Sequence, residues 1–201
     1  MKAKKDYAEL DIKEEINKKI NSVNRTRHNR LKLSERLKKY YQRWKVAFFI
    51  LNLEAVILII RSLEAGNENS LFTLITAFFS VYVILLQYFV SEQNYNERSL
   101  RAHYHQLELE DLVLKLKRLI IKINQGSNME HSESIDIYKE IMNDYQMMIK
   151  NNENHSKKDD DLRGGTHLSF VKRIDYSIEN IFLFSNFIIG IMMVIFIINS
   201  L

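Results

Sequence analysis

Few residues in this chain have the types and spacing that catalysis or metal binding requires. His103 and His105 are two positions apart, and on a helix such residues point to different faces, so they form a poor metal pair. The chain has no Cys, which removes thiolate ligands, disulfides and thiol nucleophiles. It contains no glycine-rich phosphate loop, no serine nucleophile motif and no paired-carboxylate motif, and Asp159, Asp160 and Asp161 are interpreted as a solvated charge run. The sequence therefore predicts that the protein is not an enzyme and uses no cofactor or metal.

A basic cluster near the N-terminus consists of Arg25, Arg27, Arg30 and Lys32. Such a cluster is the electrostatic footprint of nucleic-acid binding. It is also the feature that attracts a protein to anionic lipid on the cytosolic face of a membrane. Because the cluster precedes a candidate membrane helix, we favour lipid contact and expect no direct nucleic-acid binding.

Polar residues inside apolar stretches are the most informative candidates for function. Glu54 is the one charged residue near the middle of such a stretch, and a charge at that depth in a bilayer is costly. A second apolar stretch carries a polar stripe whose members recur on one helical face: Thr73, Thr76, Ser80, Gln87 and Ser91. Two interpretations stay open, hydrogen bonding between packed helices and the lining of a water-filled pathway.

These candidates lie on helices that the sequence predicts to cross a membrane. Residues 71–90 and 181–201 are each apolar over about the 20 residues that a span of roughly 30 Å requires, and residues 44–60 form a weaker candidate of about 17 residues. About ten residues separate 44–60 from 71–90, which predicts a tight hairpin. The chain has no Pro, so long helices can run uninterrupted. The predicted fold is an all-α membrane protein, with a transmembrane hairpin, a long cytosolic helical extension and a third, C-terminal transmembrane helix.

The distribution of Lys and Arg predicts the orientation of these spans. Residues 1–45 hold 15 Lys and Arg against 6 Asp and Glu, whereas loop 61–70 holds one Arg against two Glu. We therefore expect the N-terminus in the cytosol, the hairpin loop outside and the C-terminus outside.

The segment after the second span carries a heptad seam formed by Leu109, Leu112, Leu116, Leu119 and Ile123. The seam is explained equally well by packing against other helices of the same chain or by a coiled coil between subunits of a homo-oligomer. Because no Gly occurs between residue 71 and Gly126, residues 71–124 are predicted to form one rod of roughly 80 Å. A second amphipathic helix is predicted over 134–151, capped by Ser132 or Ser134, and a linker over 151–168.

The sequence thus predicts four parts. Residues 1–43 form a basic cytosolic helical arm, 44–90 the transmembrane hairpin, and 91–168 a cytosolic helical region with its linker. Residues 169–201 form a pre-membrane segment and the third transmembrane helix.

This arrangement resembles a known family. A basic arm enters the hairpin through RLKKYYQRWKVAFFILN, a long helix follows with SLRAHYHQLELEDL, and a later segment reads NENHSKKDD. The pattern is similar to the SLATT family of SMODS- and SLOG-associating two-span membrane effectors, over about residues 20–162. Its most specific piece is Glu153, Asn154, His155 and Ser156 followed by Asp159. The third span departs from the minimal pattern and marks either a subfamily or a different architecture.

The resemblance implies a function in bacterial antiphage conflict. Members are thought to permeabilise the inner membrane when triggered, so that the infected cell arrests or dies, and some sit beside reverse transcriptases or nucleotide cyclases. The expected partners are therefore the bilayer, further copies of the chain, and a signalling nucleotide or a neighbouring defence protein. The alternative is a non-conducting membrane adaptor whose cytosolic helices dock a partner protein.

Overall fold

The computed structural model describes residues 11–64, 70–125, 131–150 and 178–199, and within these ranges it contains helices and no strand. The helices are α1 (Ile12–Glu64), α2 (Ser70–Glu92), α3 (Tyr95–Asn124), α4 (His131–Lys150) and α5 (Ile178–Asn199). The predicted all-α fold class is confirmed.

Helix α1 joins the basic arm and the first apolar stretch into one element of 53 residues. Asp11 caps its N-terminus, because the Asp11 Oδ1 accepts a hydrogen bond from the Lys13 amide at 3.2 Å. Glu14 and Glu15 in the first turn complement the positive end of the helix dipole. With no Pro or Gly before residue 64, nothing in the sequence ends the helix earlier.

The predicted rod over 71–124 is interrupted, and this expectation was wrong. Helix α2 ends at Glu92, and Asn94 adopts a left-handed backbone with a φ of 49°. The Asn94 amide donates to the Ser91 carbonyl at 3.1 Å, which closes the last turn. The Asn94 carbonyl then accepts from the Arg98 amide at 2.9 Å, which starts α3. Asn tolerates this conformation better than other residues with a side chain, so a helix can end here without Gly.

Helix α4 begins at His131, three residues before the predicted start. Ser132 and Ser134 consequently lie inside the helix and do not cap it. The Ser134 hydroxyl donates to the carbonyl of His131 at 2.7 Å, a bond within the first turn. The predicted linker over 151–168 lies outside the described residues.

The chain divides into two compact units. The first, here called the helical body, comprises the described parts of Met1–Glu35 and Ser99–Thr166. The second, here called the membrane unit, comprises the described parts of Arg36–Arg98 and His167–Leu201. On α1 the division between the two units falls between Glu35 and Arg36.

The helical body is built around one apolar core. One face of the first part of α1 packs against α3 and α4. The buried members are Ile16, Ile20, Val23, Leu109, Leu112, Val113, Leu116, Leu119 and Ile141. Their spacing of three and four residues along α1 and α3 is that of a helix with one apolar face.

The membrane unit has the surface of a protein that sits in lipid. Helices α1, α2 and α5 each contain a stretch long and apolar enough to cross a membrane. Large apolar side chains on these stretches face outward, for example Phe49 with 70% of its surface exposed and Phe78 with 68%. Exposing such an apolar surface is unfavourable in water but not in the hydrocarbon of a membrane. The chain is therefore a membrane protein with three candidate spans.

Candidate functional site in the membrane unit

Glu54 lies in the first span on α1, and only 6% of its surface is exposed. Its Oε2 is buried and accepts no hydrogen bond from the described residues. Gly190 of α5 faces it, since a Cβ built on Gly190 would lie 3.5 Å from both carboxylate oxygens. The absence of a side chain at Gly190 thus lets α5 cover the carboxylate closely.

A cavity of about 250 Å³ lies beside this carboxylate. Its walls are mostly apolar and come from α1 and α5, with Ile50, Leu51 and Val194 among them. Asn186 contributes the polar group on the α5 side. The arrangement is an acidic group enclosed by hydrocarbon, with space next to it for a small guest.

Asn186 also connects α5 to the second span. Its Oδ1 accepts a hydrogen bond from the Tyr82 hydroxyl, and its Nδ2 donates to the Phe182 carbonyl at 2.7 Å. Only 2% of Asn186 is exposed. The sequence analysis missed Tyr82 and Asn186, although an Asn inside an otherwise apolar span was a signal that could have found the pair.

The predicted polar stripe on α2 is divided between two environments. Thr76 and Ser80 point inward, and each hydroxyl donates to the backbone carbonyl four residues earlier at 2.9 Å. Such bonds satisfy a hydroxyl inside its own helix. In contrast, Thr73 accepts a hydrogen bond from the Ser62 hydroxyl at 3.0 Å, while Gln87 and Ser91 are exposed.

Gln87 and Ser91 line a separate surface cavity of about 390 Å³, together with Trp44, Lys45 and Asn94. The polar stripe is therefore not one continuous surface in this structure. Glu54 is covered by α5, and two members of the stripe lie at another cavity.

The basic cluster of the arm also separates into different environments. Arg27 pairs with Glu110 at 3.2 Å and Lys32 pairs with Glu35 at 3.0 Å. Arg30 is 4% exposed, and Arg25 has an interaction partner as well. Most of this positive charge is thus used inside the helical body, because the arm packs as a core helix there.

The heptad seam is filled from within the chain. Four of its residues are at most 2% exposed and belong to the core of the helical body, namely Leu109, Leu112, Leu116 and Leu119. Ile123 is partly buried against the same core. Of the two interpretations left open by the sequence, packing inside the chain is the one that the described residues satisfy.

His105 is the most unusual ionisable group of the helical body. It is 2% exposed, and neither ring nitrogen has a hydrogen-bond partner among the described residues. Burial, together with the nearby charge of Arg30, lowers the pKa of His105 to about 4. The side chain is therefore neutral at physiological pH.

The family-like residues Glu153, Asn154, His155, Ser156 and Asp159 lie outside the described residues. Across residues 11–64, 70–125, 131–150 and 178–199, no group of three or more His, Asp or Glu side chains is placed to hold a metal ion.

A comparison with protein families shows which family the chain belongs to. The family described as "SMODS and SLOG-associating 2TM effector domain family 5" matches residues 12–200. The chain belongs to this SLATT family. No curated protein and no solved structure matches the chain at a significant level.

The extent of the match bears on the third span. The resemblance noted in the sequence covered about residues 20–162, whereas the family 5 match runs to residue 200 and includes α5. The family description names two spans, and this SLATT chain has three helices of sufficient length and apolarity. Helix α5 is therefore part of the domain that family 5 describes.

Proposed function

We propose that this SLATT protein is a membrane effector that oligomerises and permeabilises the inner membrane when its conflict system is triggered. The infected cell then arrests or dies. The observation that supports this most directly is Glu54, a carboxylate buried in a membrane span with an oxygen that has no partner among the described residues. A charge in that position costs several kcal/mol, and such residues usually serve a pathway for ions or protons.

In the proposed resting state, α5 covers Glu54 through Gly190. Activation would turn the carboxylate towards water in a pathway that several copies enclose, since three spans are too few to surround one. The inward-facing Thr76 and Ser80 are the next polar groups available to such a pathway. The trigger would come from a signalling nucleotide or a neighbouring defence protein.

The contact between copies requires a surface other than the buried heptad seam. Helix α3 carries a second series of apolar residues, here called the outer stripe, and its members are 42% to 61% exposed. They are Leu100, Tyr104, Leu107, Leu114 and Ile121. Four of these positions are seven residues apart, the repeat that coiled coils use. We therefore assign the subunit contact to the outer stripe.

Membrane depolarisation tests the pathway. Overexpressed or triggered wild-type protein should collapse the membrane potential, as read with a voltage-sensitive dye. Glu54→Gln should reduce depolarisation strongly while the protein still inserts, because the amide keeps the shape and removes the charge. Ser80→Leu with Gln87→Leu should abolish it if the polar stripe turns to water. Glu64→Gln, at the exposed end of α1, is the matched control and should behave as wild type.

The same depolarisation measurement distinguishes the proposed effector from the alternative, a non-conducting adaptor. If the triggered wild type never depolarises cells, the protein is a non-conducting adaptor and the outer stripe is a docking surface for a partner. If Glu54→Gln conducts normally, the pathway lies elsewhere.

Crosslinking tests the oligomer contact. Leu114→Asp places a charge in the middle of the outer stripe and should reduce the crosslinked ladder of the detergent-solubilised protein. Lys139→Asp reverses a charge at an exposed position on α4, away from the stripe, and should leave the ladder intact. Equal ladders for both variants would contradict the assignment of the stripe as the contact.

A further inference from the structure

Helices α1 and α5 leave a surface groove of about 570 Å³ between them in the membrane unit. Its walls are largely apolar and include Val46, Ile50, Leu183 and Phe184. The volume lies within the range of sites that hold small organic molecules. Because its walls belong to candidate membrane spans, the guest is expected to come from the bilayer.

The groove shares Ala47, Ile50 and Phe187 with the cavity beside Glu54, so the two spaces are adjacent along the same pair of helices and together form an elongated space. Glu54 follows Arg43 by eleven residues on α1, a rise of about 16 Å in a helix. A single extended hydrocarbon chain fits such a shape better than a compact molecule.

The two ends of this space differ in charge. Arg43 lies at the membrane boundary, where it donates to the Asn180 Oδ1 at 3.1 Å, and its side chain is exposed. The guanidinium group has further N–H donors available. Lys39 precedes Arg43 by one helical turn on the same face of α1 and is exposed as well. Among the described residues, neither side chain has a carboxylate partner.

We propose that this groove binds one anionic phospholipid. The acyl chain lies between α1 and α5, and the phosphate is held by Arg43 and Lys39. Arginine is well suited to phosphate because its donors match two oxygens at once. The described lining of the cavity at the Glu54 end includes no Lys or Arg that could hold a phosphate, which places the headgroup at the boundary. The binding does not depend on whether the protein conducts ions.

Native mass spectrometry of the full chain in detergent tests the proposal. The protein is titrated with phosphatidylglycerol or with phosphatidylcholine of the same acyl chains, and phosphatidylglycerol should bind more tightly. Lys39→Gln with Arg43→Gln should weaken phosphatidylglycerol binding about tenfold or more, since each basic residue near a lipid headgroup contributes on the order of 1 kcal/mol. Phosphatidylcholine carries the same phosphate beside its own cationic choline, so its binding should weaken less than that of phosphatidylglycerol.

A matched control is available on the same helix. Lys38 and Lys45 are also exposed, and their positions on α1 are on the side opposite to Lys39 and Arg43. Lys38→Gln with Lys45→Gln should leave phosphatidylglycerol binding within twofold of wild type. Equal losses for the two pairs would mean general charge attraction and would overturn the site.

Filling the groove tests the position of the acyl chain. Ala47→Leu places a larger side chain in the groove and should reduce binding of both lipids. Trp44, the single Trp of the chain, packs 5.7 Å from Phe182 of α5, so its fluorescence reports whether the two helices remain together. If Ala47→Leu disturbs that signal, Val46→Phe on the exposed wall replaces it, because it fills the groove without adding a second Trp. Undiminished binding in an intact groove-filling variant, or equal affinity for both lipids, would refute the proposal.

Discussion

The helical body and the membrane unit distribute their apolar and polar side chains in opposite ways. In the helical body, apolar residues such as Leu112 and Leu116 are fully buried, which is the pattern that water imposes. In the membrane unit, large apolar side chains face outward, while Glu54, Thr76 and Asn186 are at most 6% exposed. Lipid removes the hydrophobic force between helices, so close packing and polar contacts hold the membrane unit together.

The contrast is incomplete, because the helical body also buries polar groups. Asn29, Arg30, Ser34, Ser99 and His105 are each less than 9% exposed. The Ser99 hydroxyl donates to the Ser34 carbonyl at 2.9 Å, but within the part of the chain that the structure describes both nitrogens of His105 lack a partner. The body therefore contains an apolar core and a polar layer in which not every group is satisfied.

The largest effect should come from truncating the apolar core. Leu116→Ala in the helical body should lower the free energy of unfolding by about 2–5 kcal/mol, the cost of a lost side chain and the cavity it leaves. Leu85→Ala on the membrane unit should change it by less than about 0.5 kcal/mol, because Leu85 is 61% exposed. Thermal unfolding followed by circular dichroism in detergent measures both. Similar losses of unfolding free energy in Leu116→Ala and Leu85→Ala would contradict the difference in packing between the two units.

A pH-dependent effect should follow from His105. Its pKa is about 4 in the folded chain, and an unfolded His has a pKa of about 6.5, so the unfolded chain binds the proton first. The free energy of unfolding is therefore highest above pH 6.5 and falls as the pH drops towards 4, by up to about 3 kcal/mol. Unfolding measured from pH 7.5 to 4 should show a shallower decline in His105→Asn. His103→Asn, at an exposed position, should keep the wild-type decline, and an unchanged slope in His105→Asn would exclude this residue as the cause.

The smallest effect concerns the polar contact between α2 and α5. Tyr82→Phe removes the hydroxyl that donates to Asn186, and hydrogen bonds between membrane helices contribute about 0.6 kcal/mol on average. We expect a correspondingly small loss of thermal stability. Tyr88→Phe, where the side chain is 67% exposed, should have no effect. A loss of several kcal/mol in Tyr82→Phe would mean that this contact carries far more of the membrane unit than such bonds usually do.

Several features were predictable from the sequence because they depend on local composition. The three apolar stretches and the all-α fold class were predicted, and the structure confirms them. The family was also predicted from residue patterns, and the match over residues 12–200 confirms it. The break at Asn94 was missed, because an Asn between two helical stretches is compatible with continuation as well as with a turn.

Other features depend on which distant surfaces meet. The heptad spacing of Leu109, Leu112 and Leu116 showed that one face of α3 is covered, but periodicity is the same whether the partner is the same chain or another copy. The sequence likewise placed Glu54 inside a span without indicating what faces it.

The sequence by itself determined which segments are helical, which of them suit a membrane, and where apolar faces lie, because hydrophobic length and period act locally. Only the tertiary structure decided that the seam is filled by α1 and α4, and that α5 covers Glu54 through Gly190. Those contacts join residues that are more than a hundred positions apart in some cases. Their geometry follows from side-chain packing between helices, which no local pattern records.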